Sequence, residues 1–432
     1  MTFAGDASIL IPSLKEIKMN LRQKQLQTFS FSLLGLAVLL SGCSSPIITS
    51  KTSKQSVIPN DPTPSLLEAR RAKSNPSLNF LTYQHMDQLF GVQTVAPSSQ
   101  PSVWPKGVGF QNANFNTKDN QGPLTFDEYL EKEKINAIVV LRDGKIVTEA
   151  YRNGSDENTR FLGMSVSKSI ISLLIGIAIK DGSISSVDDE VTKYIPELKN
   201  TAYQGVTIKN LLMMRSGTNW KEIYTPGSEL DNHRDLSLNQ AKAYYEDYAY
   251  KVKKDIPPGT KFNYSTLDTD IAGWALERAI GRSLADYMSE KLWKPAGMES
   301  PAYWVEQGVT SAPRIFYGGG LAATVRDYAR IGQLMLNNGQ VENKQIVPAS
   351  WVKESVTDYN RSPGYGYFWW IDRNSVNNQR SYGAYGINGQ AIYVDPASRT
   401  VIAVAGYWPV ATDKKMSAAQ SEMFEAIKRH IR

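Results

Sequence analysis

The sequence predicts an α+β fold in which one antiparallel five-stranded sheet is flanked by helices and carries an inserted helical lobe. Two β-rich runs, at 137–141 and 146–151, precede a largely helical middle, and three more, at 365–371, 389–394 and 400–405, follow it. A sheet assembled from both ends of the chain leaves a cleft between itself and the lobe, which is where a ligand site is expected.

Taken in order, the chain begins with an export pattern. Arg22 and Lys24 precede an apolar run at 29–40, and Leu40-Ser41-Gly42-Cys43 follows. The run is too short to read first as a spanning helix. Its tail resembles the lipobox of bacterial lipoproteins, which implies a signal peptide at 1–43 with Met19 as the natural start. Cys43 would then be lipidated and tie the protein to a membrane, with Ser44 compatible with the outer membrane facing the periplasm. Cys43 is the single cysteine of the chain, so no intramolecular disulfide forms. Residues 44–77, rich in Ser, Thr, Pro and Lys, read as a flexible tether. Residues 78–123, with Phe80, Tyr83, Met86, Phe90, Trp104, Phe110 and Phe115, read as an extension packed on the body, and 124–432 as the main domain.

Within that domain, 126–134 is a short helix. Asp143-Gly144 between two β-branched runs marks a hairpin. A strongly apolar helix follows at 166–179 and ends near Asp181-Gly182, where the glycine suits a C-terminal cap. Further helices are expected at 269–279, at 284–292, at 324–336 after Gly318-Gly319-Gly320, and at 417–431. Asp395-Pro396 turns between the last two strands.

The 48 basic and 42 acidic side chains among 432 residues are scattered, without a basic stripe or a nucleic-acid module. Three separated histidines and one exported cysteine give no metal-ligand spacing, so neither metal nor cofactor is expected. Nor do they make a Ser-His-Asp triad: Gly163-Met-Ser165-Val-Ser167 lacks the second glycine of a nucleophile elbow. His233, amid Glu229, Asp231, Arg234 and Asp235, reads as a solvated loop residue or as part of a substrate entrance.

The chemistry concentrates at the mouth of the apolar helix. Ser165 and Lys168 stand one turn apart on nearly the same face, so hydroxyl and amine can meet. A serine needs a base, and a buried lysine supplies one because desolvation favours its neutral form. At the helix N-terminus, backbone N–H groups would also stabilise an oxyanion. Ser350-Trp-Val-Lys353 repeats the spacing but looks like the start of a surface helix. A second proton carrier is offered by Tyr264, in a polar turn just before a helix, where a nearby ammonium would ease loss of its proton. Alone among 22 tyrosines it would carry no weight.

Ser165-x-x-Lys168, Pro258-Gly259-x-x-Phe262-x-Tyr264-Ser265 and Gly386-Ile-Asn388-Gly389-Gln390, in this order, resemble the β-lactamase-related serine hydrolases. The likeness is greatest to the branch with 6-aminohexanoate-dimer hydrolase and class C β-lactamase-like esterases. It implies the serine β-lactamase/transpeptidase fold, Ser165 as acylated nucleophile, Lys168 as base and Tyr264 as relay to the leaving group. The oxyanion donors would be the backbone N–H of Ser165 and that of Ile387, with Ala384 as the alternative register. Gly386, Asn388 and Trp370 would touch substrate, with Trp369 and Tyr365 as further aromatic candidates for that wall. Two departures stand out: Tyr264-Ser265-Thr266 lacks the asparagine of a Y-x-N motif, and no Lys-Thr-Gly occurs. The expectation is a serine hydrolase of small linear amides or esters. The alternatives are a β-lactamase or D-alanyl-D-alanine carboxypeptidase and, in another class, a non-catalytic envelope binding protein.

Overall fold

The computed structural model describes residues 62–110, 113–116, 122–360, 363–376 and 379–431. The export pattern with Cys43, and the tether up to residue 61, lie outside the described residues. The end of the tether region differs from the expectation. Thr63 caps a helix, α1 (Pro64–Ala72), its hydroxyl accepting from Leu66 N, and Pro64 opens it with a pre-set φ. Arg70 fastens α1 to the body by donating to the carbonyls of Leu89 and Asn239, and Arg71 pairs with Asp235 at 2.7 Å. Among the described residues no helix is long and apolar enough to cross a membrane.

The strands that frame the site are β1 (Val92–Val95), β2 (Ile135–Arg142), β3 (Lys145–Tyr151), β4 (Arg160–Leu162), β5 (Ala302–Gln307), β6 (Leu321–Thr324), β7 (Trp370–Val376), β8 (Gln379–Gly386), β9 (Gln390–Asp395) and β10 (Thr400–Gly406). Among the helices are α2 (Phe126–Lys132), α3 (Val166–Lys180), α4 (Thr266–Ile280), α5 (Val325–Leu336) and α6 (Lys414–His430). The main sheet runs β7-β8-β9-β10-β2-β3, antiparallel throughout, and so joins both ends of the domain. It has six strands where five are expected. The run 365–371 is mostly a buried aromatic bend: Tyr365, Tyr367, Phe368 and Trp369 are all buried, and Phe368 sits at φ 59°. Only Trp370 and Ile371 enter β7, and the hairpin partner β8 is the additional strand.

Side-chain alternation explains the layers. Val139 and Leu141 of β2 face a core shared with α3 and α5, whereas Ile138 and Val140 face a second core with Phe126 of α2 and Phe424 of α6. With both faces covered, β2, β9 and β10 read as continuous apolar runs. The extension contributes Phe110 and Phe115 to the second core. It also contributes β1, which pairs with β5 in a smaller sheet ordered β1-β5-β6-β4. That sheet carries α3 at the end of β4, and β6 leads into α5.

Candidate active site

Leu162 leaves β4 into Gly163 and Met164, and the turn is tight. Gly163 N donates to Leu321 O at 2.8 Å, and Met164 takes φ 48°, a left-handed conformation that a long side chain rarely adopts. This swings Ser165 to the start of α3. Ser165 holds helical angles and its side chain makes no capping bond, so the hydroxyl is left for chemistry. One turn on, Lys168 Nζ lies 3.1 Å from Ser165 Oγ and donates to Gly318 O at 2.6 Å. Two other serines of the helix fix its position: Ser167 Oγ accepts from Leu321 N at 3.0 Å, and Ser169 Oγ donates to Phe368 O at 2.6 Å.

Lys168 is 1% exposed. Burial lowers its pKa to about 8, against the opposing pull of the Glu222 and Asp270 carboxylates. The Gly318 carbonyl reaches Lys168 because Tyr317 N donates to Asp270 Oδ1 of α4 at 3.0 Å. A Cβ on Gly318 would stand 2.6 Å from Asp270 Oδ2 and 2.7 Å from Thr266 Cγ2, so only glycine allows this approach. Asp270 is itself buried, and burial raises its pKa well above the carboxylate range.

Tyr264 comes from the turn that Ser265 ends by capping α4, its Oγ accepting from Asp268 N. The Lys168 ammonium lies over the Tyr264 ring, 5.5 Å from its centroid, and the phenol hydrogen-bonds with Ser165. Trp370 stacks on that ring as well, with centroids 5.5 Å apart. The direction of the phenol's pKa differs from the expectation. Burial raises it above the ordinary value, the bond with Ser165 offsets part of this, and the ammonium faces the ring rather than easing proton loss. Near neutral pH Tyr264 therefore keeps its proton, and of the two groups beside Ser165 it is Lys168 that gives up its proton at the lower pH.

The end of β8 closes the site from the opposite side. A Cβ on Gly386 would fall 2.5 Å from Gly163 O and 3.0 Å from Met164 Cβ, so strand end and serine turn pack backbone to backbone. Ile387 lines the cavity beside Ser165, whereas Ala384 is fully buried in the main core. Asn388 faces elsewhere. Its amide donates to Trp408 O at 2.9 Å and Val410 O at 3.2 Å, its oxygen accepts from Tyr83 at 3.1 Å, and it sits buried at φ 61°. Both of its donors are thus engaged in holding the turn after β8.

A narrow cavity of about 60 Å³ opens at Ser165, with Leu162, Met164 and Phe316 on its walls. Three charged residues on it were not singled out from sequence: Glu222, Lys73 and Arg234. Glu222 accepts from Thr266 N (2.9 Å), Thr266 Oγ1 (2.5 Å), Trp220 Nε1 (2.6 Å) and Tyr224 (2.7 Å). None of the three lies near Ser165 in sequence, so spacing carried no signal. His233 proves to be neither solvated nor a lining group: it is buried, with Nε2 2.7 Å from Tyr245 O. Ser350 and Lys353 are exposed on a short helix. A wider basin of about 720 Å³ at Glu190, Asn200 and Lys254 lies open at the surface and holds none of these groups.

A sequence profile of the Beta-lactamase family matches residues 125–416. The chain is 29% identical over 327 residues to 6-aminohexanoate-dimer hydrolase of Paenarthrobacter ureafaciens, covering 71% of this chain and 81% of that one. Esterase EstB of Burkholderia gladioli is 28% identical over 195 residues, 40% of this chain and 48% of the esterase. A solved structure from Bacillus anthracis, provisionally described as a 6-aminohexanoate-dimer hydrolase, superposes with a TM-score of 0.73 at 26% identity, over 83% of this chain and 96% of that one. A penicillin-binding protein from Bacillus halodurans shares the fold, with a TM-score of 0.55 at 15% identity over 70% of this chain and 99% of that one. With the serine β-lactamase and penicillin-binding-protein fold in place and the profile spanning most of the domain, the chain belongs to the Beta-lactamase family and is an enzyme of its hydrolase class.

Proposed function

We propose that the protein hydrolyses small linear amides or esters through an acyl-enzyme on Ser165. The observation that carries this reading is the buried Lys168 amine 3.1 Å from the Ser165 hydroxyl, with its pKa lowered to about 8. In its neutral form the amine accepts the Ser165 proton as Oγ attacks the substrate carbonyl. The resulting oxyanion is stabilised by the backbone N–H groups of Ser165 and Ile387. Tyr264 gives its proton to the departing amine or alcohol and is reprotonated from the Lys168 ammonium. Water then attacks the acyl carbonyl, its proton passing back through the same groups, and releases the acid and free Ser165.

Gly386 brings the Ile387 donor to the serine turn, and Trp370 orients Tyr264 by stacking. A narrow cavity supports a slender substrate. The relatives' names, a 6-aminohexanoate-dimer hydrolase and an esterase, support linear amide and ester bonds. The pattern at 19–43 supports export and a lipid anchor on Cys43 at the periplasmic face of the outer membrane.

Turnover of a chromogenic cephalosporin set beside a short-chain ester tests the reading. Ester hydrolysis that Ser165→Ala abolishes, with little cephalosporin turnover, is expected. Brisk cephalosporin turnover would favour a β-lactamase instead. No acylation by either substrate, together with retention on isolated cell wall, would favour the binding protein.

A further inference from the structure

Lys73 stands at the cavity wall but comes from the end of α1, outside the residues that match the family profile. It is buried, and the oxygens that hold it are neutral: Asn239 Oδ1 at 2.8 Å and Arg70 O at 3.0 Å. The Phe90 ring, also on the cavity wall, lies 5.5 Å from its ammonium. Around it stand Arg70, Arg71 and Arg234, against the carboxylates of Asp231 and Asp235. Arg71 pairs with Asp235 and Arg234 with Asp231, while Arg70 donates only to carbonyls. Lys73 and Arg70 therefore remain as two buried cations without an ion pair of their own, the nearby carboxylates of Asp231 and Asp235 being paired with arginines. Burial first, and Arg234 next, lower the Lys73 pKa to about 7, which an arriving anion would reverse.

The cavity's one carboxylate offers no matching opportunity for a cation. Glu222 already accepts four hydrogen bonds, about as many as a carboxylate can take. Ser165 and Ile387 line the cavity, whereas Tyr264 and Trp370 do not. With Tyr264 as proton donor to the leaving group, as proposed above, the acyl half is the part of the substrate that would enter the cavity.

From this arrangement we infer that Lys73, supported by Arg234, binds a free carboxylate at the far end of the acyl half. The preferred substrates are then monoamides or monoesters of short linear dicarboxylic acids. The proposal rests on the acyl-enzyme reading above, and it gives the acyl end the opposite charge to that of a 6-aminohexanoyl group.

The test compares background-corrected kcat/KM for p-nitrophenyl esters of equal chain length ending in a methyl group (hexanoate), a carboxylate (adipate monoester) and an ammonium (6-aminohexanoate). A charge-assisted hydrogen bond predicts a preference for the carboxylate ester over the neutral one of about tenfold or more. The ammonium ester ranks below both. In Lys73→Met the carboxylate-to-neutral ratio falls to about one; because this is a ratio within one protein, partial unfolding does not enter it. If that variant does not fold, the wild-type ranking decides alone. Equal or inverted ranking in the wild type, or an unchanged ratio in Lys73→Met, overturns the proposal while leaving the acyl-enzyme reading in place. Failure to turn over any of the three esters overturns both.

Discussion

Lowering the pKa of Lys168 from 10.5 to about 8 changes how much base is available at working pH. At pH 7 the neutral fraction rises from roughly three in ten thousand to about one in eleven, a gain of about 300-fold. If Lys168 is the base, kcat/KM for a neutral ester climbs about tenfold from pH 6 to 7 and about fivefold from pH 7 to 8. Above that it rises less than twofold to pH 9 and then levels. The sign follows from the amine acting only when deprotonated. No fall on the alkaline side is expected over this range, because Tyr264 keeps its proton to higher pH than an ordinary phenol. Glu222→Gln removes a charge that favours the ammonium, so the midpoint moves to lower pH. The profile is measured from initial rates, with nitrophenol release followed at its isosbestic wavelength. A tenfold rise per pH unit continuing through pH 9 would show a lysine of ordinary basicity, and a flat profile from pH 6 to 9 would remove Lys168 from the base role.

Three substitutions probe the other parts of the site. Tyr264→Phe keeps the stack on Trp370 but loses the proton. Amide hydrolysis should fall about 10²–10⁴-fold in steady-state assays, while acylation by a nitrophenyl ester, whose leaving group needs no proton, changes far less. Gly386→Ala places a Cβ 2.5 Å from Gly163 O, so the end of β8 must retreat from the serine turn. An order of magnitude or more of kcat/KM should be lost as the Ile387 donor moves, with the circular dichroism spectrum retained. Asn388→Ala takes the donor from the Val410 carbonyl and the acceptor from the buried Tyr83 hydroxyl, leaves Trp408 O with Asn79 alone, and puts a Cβ residue without a polar side chain at φ 61°. A destabilisation of about 2–4 kcal/mol in urea unfolding is expected.

The side chains proposed for catalysis are legible in sequence because each is local to a motif. Ser165 and Lys168 sit one helical turn apart, and Tyr264 immediately precedes the Ser265 cap of α4. The hairpin of β2 and β3 was legible from Asp143-Gly144, and β9 and β10 from apolar runs buried on both faces. The smaller sheet was not, because its strands are as short as Arg160–Leu162 and their partners lie far off in the chain: Phe161 pairs with Ala323. The 365–371 run misled because bulky aromatics have high strand propensity. Tertiary packing instead bends it at Phe368, whose N–H goes to Leu212 O. Helix α1 was hidden inside a polar stretch whose order comes from contacts of Arg70 and Arg71 with a distant turn, not from its own periodicity. Lys73, Arg234 and Glu222 escaped for the same reason, since what makes them neighbours of Ser165 is the fold alone.

The direct test of the account is a stopped-flow reaction of the soluble body, truncated after Cys43, with p-nitrophenyl hexanoate, quenched for intact mass. A burst of nitrophenol and a mass increase of one acyl group are expected, both absent in Ser165→Ala. A burst and adduct that survive in Ser165→Ala, or neither in a folded wild type, would contradict it.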